Sequence, residues 1–432
     1  MTFYIIYAIL FFVIDNKCER RKNYGFAKGK CNCRAVRWAY IGNQCNPIGV
    51  IRGAGDSQAI NKLFGMVNGI EGFLSGNIID LSHLFDDEEA LGALELTPAS
   101  ALGSCRKKLP PLDGDKEIYN KIFETFKAND IRYFFYIGGN DSMDTVYKLS
   151  EYAKTIDYEI RIIGVPKTID NDLPLTDHAP GYGSAAKFIA TAISEIATDC
   201  AVYTVKAVTI VEMMGRDAGW LTCAAALPKY YTGLGADLIY LPERPFDDKQ
   251  FLDAVKGELE KHPNVVVAVS EGIRYANGEY VGASNQSGAV DVFGHKYLAG
   301  TARNLEALVK REIGCKVRSV ELNLLQRAAA HSVSATDIDE SVLIGKSAVM
   351  LAETGATGRM PVFVRKSGEY GVIIDSVAIS EVANKEKFVP NEYINEEGNN
   401  VTKECIDYIS PLILGEKSIK YKNGMPVFIR LK

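Results

Sequence analysis

RYFFYIGGNDS, residues 132–142, decides the fold. The apolar run Arg132 to Ile137 has the length and aromatic content of a buried strand, and it leads directly into Gly138-Gly139-Asn140-Asp141-Ser142. A helical period follows, with apolar residues at Met143, Val146, Tyr147 and Leu149. The next strand, Ile160 to Val165, delivers Pro166-Lys167-Thr168-Ile169-Asp170-Asn171-Asp172. Strand, glycine-rich turn, helix, strand is a βαβ unit, which presents ligand loops at the carboxyl ends of its strands.

Further along the chain the pattern repeats. After Pro180-Gly181-Tyr182-Gly183, strand Ala207 to Val211 leads to Met214-Gly215-Arg216, and strand Asp237 to Leu241 ends at Pro242. The helical stretch Asp248 to His262 precedes strand Val265 to Val269, which ends at Ser270-Glu271-Gly272. The fold class expected is α/β: two Rossmann-like lobes with mainly parallel sheets, helices on both faces, and the active site in the cleft between them. The polar tail after about Asn384, with Asn399-Asn400 and several charged pairs, reads as a peripheral extension.

Composition narrows the function. The chain has 432 residues, 47% hydrophobic and 24% charged, which suits a globular protein of two or three packed units. A net charge of −5 argues against a nucleic-acid binder, which needs a basic surface. Of nine cysteines, Cys18, Cys31, Cys33 and Cys45 crowd the amino terminus, while Cys200, Cys223 and the rest sit apart in mostly apolar contexts. Reduced thiols and a cytoplasmic location follow as the expectation.

The strand ends carry the chemistry. Gly138-Gly139 lets backbone N–H groups approach phosphoryl oxygens at a helix amino terminus, although paired glycines also make an ordinary tight turn. Lys167, Asp170 and Asp172 form a sharper pattern. Asp170 can accept a hydroxyl proton while Lys167 and Mg²⁺ neutralise a transferring phosphoryl group; the bland alternative is a solvated Asx-rich turn. Arg216, Arg318, Arg327 and Glu271 offer guanidinium forks and a carboxylate suited to a sugar phosphate, though each alone reads as a surface charge.

GGNDS, GVPKTIDND, PGYGSA, VEMMGR, LPERPFD, SEG and ELNLLQR occur in the order and rough spacing of the phosphofructokinase family, which the chain resembles from about Gly49 to Asn384. The resemblance implies phosphoryl transfer to the 1-hydroxyl of fructose 6-phosphate, with Asp170 as the base. It places Thr168, Asp172, Met214, Gly215, Arg216, Glu271 and Gln326 at the sugar. Arg318 and Arg327 hold the 6-phosphate, one of them from a neighbouring subunit of a homo-oligomer, dimer or tetramer. Gly138, Gly139, Ser142 and Arg106 fall at the donor phosphates, and Asn140 and Asp141 at a metal. The implied division is residues 47–179 plus about 328–384 for the donor lobe, 180–327 for the sugar lobe and 385–432 for the extension.

Two positions bear on the donor. Members using ATP resemble GGDGS and GTIDND, with glycines where this chain has Asp141 and Lys167. A carboxylate at Asp141 occupies the place of the α-phosphate of ATP, and Lys167 compensates charge on pyrophosphate; repulsion and attraction together favour pyrophosphate. An ATP-dependent enzyme is the rival reading. The chain departs from the pattern at Asn140, where an aspartate is usual, at Leu324 in place of a histidine, and at Ala207 beside Lys206 in place of an arginine.

The amino terminus departs further. The apolar run Phe3 to Ile14 is shorter than the ~20 residues a membrane helix needs and lacks the flanks of a secretory signal. The family's opening strand and QSGGPT-like loop are missing between Lys30 and Ile48. Read one base out of frame, with synonymous choices allowed, the codons from Lys30 to Cys45 permit NVIVGQSGGPTSVINA, and the single codon of Trp38 forces one of its glycines. Residues 1–46 are therefore expected to be out of frame. As written, the chain is expected to lack a central strand and the first phosphate cradle, which makes a defective product a second rival.

Overall fold

The structure, a computed structural model, describes residues 45–103, 105, 107–282, 300–429 and 431, together with the backbone of Lys30–Ala35. Strand β1 (Lys30–Ala35) precedes helix α1 (Cys45–Asp56); α2 (Gly69–Leu74) lies between the short strands β2 (Phe64–Met66) and β3 (Ile78–Asp80). Helices α3 (Glu88–Glu95) and α4 (Glu117–Ala128) lead to β4 (Ile131–Gly138), α5 (Asn140–Ala153) and β5 (Arg161–Pro166), the βαβ unit read from the sequence. Then come α6 (Tyr182–Ala201), β6 (Ala207–Met213), α7 (Trp220–Cys223), α8 (Leu227–Thr232) and β7 (Leu238–Tyr240). Next follow α9 (Asp248–Lys261), β8 (Asn264–Ser270), α10 (Thr301–Glu312) and β9 (Lys316–Glu321). After these come α11 (Ala335–Glu353), β10 (Arg359–Arg365), β11 (Val372–Ala378) and α12 (Lys403–Ile409), followed by a short antiparallel pair, Tyr421–Lys422 with Met425–Pro426.

One sheet has the order β1-β4-β5-β10-β11, parallel except for β11, and the other the order β7-β8-β6-β9, parallel throughout. Helices cover both faces of each, so the α/β reading with two lobes stands. The lack of alternation in RYFFYI has a direct cause. Phe134 and Tyr136 enter a core with Ile122 and Phe126 of α4, whereas Tyr133, Phe135 and Ile137 face Ile51 of α1 and Ile344 of α11. A strand buried on both faces reads as one apolar run.

Two expectations are corrected. Residues 31–46 show no strand period, yet Lys30–Ala35 pairs parallel to β4, with Cys31 opposite Tyr133 and Ala35 opposite Ile137. It is an edge strand, not a central one. The open side of β4 offers backbone partners that outweigh the weak strand propensity of KCNCRA. The QSGGPT-like cradle, by contrast, falls mainly on residues outside those described.

The tail beyond Asn384 is not peripheral. Val389, Ile394, Cys405, Ile409 and Leu412 are buried in the same core as Ile189 of α6 and Trp220 of α7. Lys387 lies over the Trp220 ring at 5.2 Å, and its ammonium donates to the carbonyls of Asp177 (2.9 Å) and Thr176 (3.1 Å). Among the described residues, no helix is long and apolar enough to cross a membrane.

Candidate active site

Loops leaving the carboxyl ends of β4, β5, β6 and β8 converge on one cleft of about 280 Å³. The first wall carries Asn140 and Asp141, the second Asp170 and Asp172, the third Met214, Gly215 and Arg216, and the fourth Glu271. Within each sheet the parallel strands deliver their loops to one end, and the cleft is where the loops of the two sheets meet.

Asp170 is oriented locally. The Thr168 hydroxyl donates to Asp170 Oδ2 at 3.2 Å and accepts from the Asp170 N–H at 3.1 Å, which fixes the carboxylate relative to its own backbone. Thr168 and Lys167 are buried behind the wall, and the Lys167 N–H donates to Gly138 O at 3.0 Å, tying the two strand ends together. Gly138, Gly139 and Ser142 are also buried behind the cleft surface. Gly139 O accepts from Ser142 N–H (2.9 Å) and Met143 N–H (3.1 Å) in the first turn of α5.

The opposite side depends on a tight turn. Gly215 has φ 136°, and a Cβ there would stand 2.7 Å from Ala218 O. A Cβ on Gly272 would come within 1.8 Å of Arg216 O, so the Glu271 loop packs directly on the Arg216 backbone. Glu271 Oε1 accepts from Gly215 N–H at 3.4 Å. Burial pushes its carboxyl up to about 7, against the opposing pull of Arg216. Gln326 supports the same turn, with Oε1 accepting from Met214 N–H at 3.2 Å.

Other expected residues lie elsewhere. Arg318 is on β9, exposed and outside the cleft walls, with Nη1 3.7 Å from Asp199 Oδ2. Arg327 is buried in a short 3₁₀ turn, Asn323–Arg327, and also lies outside the walls. Arg106 lies outside the described residues. Both polar atoms of the Asn140 amide are engaged: Oδ1 accepts from Asn384 N–H at 2.7 Å and Nδ2 donates to Lys385 O at 2.5 Å.

The walls also contain Lys108, Asp217, Ala218, Asn384 and Glu386, none of them singled out from the sequence. Lys108 stands two residues after Arg106 and could have been found there. Asn384 and Glu386 begin a segment without period, which gives no signal. Burial and the nearby Asp217 push the Glu386 carboxyl up, with Arg274 and Arg216 opposing.

Comparisons with known proteins give the family. The family model described as Phosphofructokinase matches residues 48–352. A pyrophosphate–fructose 6-phosphate 1-phosphotransferase of Halomonas elongata is 41% identical over 377 residues, covering 86% of this chain and 88% of its own. One of Xanthomonas campestris pv. campestris is 42% identical, covering 86% and 89%. The crystal structure of a pyrophosphate-dependent phosphofructokinase from Nitrosospira multiformis matches with a TM-score of 0.81 at 37% identity, over 91% of this chain and 94% of that one. With the family model matched over residues 48–352 and the relatives matched over most of the chain, the chain belongs to the phosphofructokinase family.

Proposed function

We propose that this chain transfers a phosphoryl group from pyrophosphate to the 1-hydroxyl of fructose 6-phosphate, giving fructose 1,6-bisphosphate in a reversible step of glycolysis. The observation that carries the proposal is the shared cleft: Asp170 and Asp172 stand between Asp141 on one wall and Met214, Gly215, Arg216 and Glu271 on the other. Asp170 accepts the proton as the 1-oxygen attacks phosphorus. Glu271 accepts sugar hydroxyls, Arg327 binds the 6-phosphate, and Arg318, which lies outside its own cleft walls, serves the site of a second copy. The names of the 41% and 42% identical relatives support the same donor and acceptor.

For the donor, Asp141 excludes ATP by placing a charge where an α-phosphate would lie, and Lys167 balances pyrophosphate. Gly138, Gly139, Ser142 and Arg106 complete the donor side. Mg²⁺ belongs to the proposal, because Asp141, Asp170 and Asp172 offer the hard oxygen donors it takes. When bound, the ion neutralises charge on the transferring phosphoryl group. Asn140, tied to the backbone of residues 384–385, contributes to placing this wall. Six free cysteines among the described residues agree with a cytoplasmic protein.

The amino terminus is part of the proposal: residues 1–46 come from an altered frame, and the native loop reads NVIVGQSGGPTSVINA. The test assays the chain as written beside one restored to that text, each with pyrophosphate and with ATP. Activity confined to pyrophosphate supports the donor assignment, and activity confined to the restored chain supports the frame. Turnover with ATP alone overturns the first, and equal rates in both chains overturn the second.

A further inference from the structure

Lys108 has an anchored root and a half-exposed tip. Its neighbour Leu109 is buried, Leu109 O accepts from Lys148 Nζ at 3.1 Å, and Pro110 O accepts from the Tyr119 hydroxyl at 2.5 Å. The Lys108 side chain keeps 44% of its exposure, and its ammonium stands 3.4 Å from Asp141 Oδ1. A lysine anchored at its backbone can swing its charge between oxygen partners with little reorganisation.

Charge balance gives that movement a purpose. Among the described residues, carboxylates outnumber cations on the cleft walls, where the cations are Lys108 and Arg216. Arg216 belongs to the sugar side, beside Glu271, whose ionisation it favours. Lys108 is the lysine on the wall opposite, against Asp141. A polyanionic donor entering an acidic cleft needs a cation there, and an ammonium pairs well with phosphoryl oxygens as a point charge.

We infer that Lys108 is a donor-binding residue: its ammonium, 3.4 Å from Asp141 Oδ1, pairs with a pyrophosphate oxygen when the donor is bound. The inference rests on the pyrophosphate reading above and deepens it, assigning the donor a contact outside the sequence motifs. It also gives Asp141 a second role, that of holding the lysine in place until it is needed.

Calorimetric titration of the full-length chain restored to NVIVGQSGGPTSVINA with magnesium pyrophosphate tests this without requiring turnover, and the variants are made in that chain. Lys108→Met should weaken pyrophosphate binding about tenfold or more, since a charge-assisted contact is lost. Lys108→Arg should recover most of it, and Lys107→Met, on an exposed neighbour outside the cleft, should match the wild type. Fructose 6-phosphate affinity and the thermal midpoint should stay near wild type in all three. Wild-type binding by Lys108→Met overturns the inference, as does a matching loss of sugar affinity and stability, which marks a structural role. A wild-type chain that binds ATP and no pyrophosphate instead overturns the donor reading beneath it.

Discussion

To act as the proposed base, Asp170 has to be ionised and aimed, and its surroundings supply the aim. The Thr168 hydroxyl bridges its carboxylate and its own N–H, so rotation of the side chain costs a hydrogen bond. Asp170→Asn keeps the shape and removes the base. It should lower kcat by about 10²–10⁴ while leaving the KM for fructose 6-phosphate nearly unchanged, which steady-state kinetics will read. Glu271 presents the opposite case, a carboxyl strained by its setting. Its folded pKa of about 7 lies above the 4.5 of the free group, mainly through burial. The native state therefore holds a proton that the unfolded chain has released, and this contribution to stability is lost as pH rises from 4.5 to about 7. Glu271→Gln should then gain stability as pH rises, by up to about 2–3 kcal/mol at about pH 8, while losing sugar affinity. Urea midpoints whose separation is the same at about pH 5 and about pH 8 contradict this.

Between residues and the molecule stand the loops and segments that hold them. The turn at Gly215 and the loop at Gly272 form one unit, because the second packs against the backbone of the first. Gly272→Ala cannot fit without moving Arg216, so it should abolish sugar-phosphate binding while the distant α4–β4 core stays folded. Binding assays beside far-UV spectra separate the two effects. The segment after Asn384 acts as a strap. Lys387→Met removes the ammonium that satisfies the Thr176 and Asp177 carbonyls and should cost about 2–4 kcal/mol, measurable by denaturant unfolding. These elements also show what a sequence reveals. The walls built by Asp170, Arg216 and Glu271 were legible because each follows a strand whose apolar run is unmistakable. Lys108, Asn384 and Glu386 were not, because they come from irregular segments whose place is set by tertiary contacts. The strap itself was misread since its buried residues, Val389, Ile394 and Leu412, follow no helical or strand spacing.

At the scale of the whole molecule the separation of Arg318 from its own cleft is the feature to test. If a second copy supplies it, two crippled chains can repair each other. Asp170→Asn and Arg318→Ala, each inactive alone, should regain about a quarter of wild-type activity when refolded as an equal mixture, because half the dimers are mixed and each rebuilds one site. No recovery would place Arg318 in its own subunit's chemistry. The location of Arg318 could not be read from the sequence, since nothing local distinguishes a residue serving its own chain from one serving a neighbour. The parallel sheets, in contrast, were legible from the order of strands and helices. The strap has a last consequence, during synthesis. The ribosome releases the amino-terminal part first, yet the core around α6 and Trp220 receives Val389, Cys405 and Leu412 only when the chain is almost finished. Until then its apolar surface has no cover, which exposes the nascent protein to aggregation. Removing residues 389–412 should therefore expose that core and yield an aggregating chain rather than a smaller working enzyme.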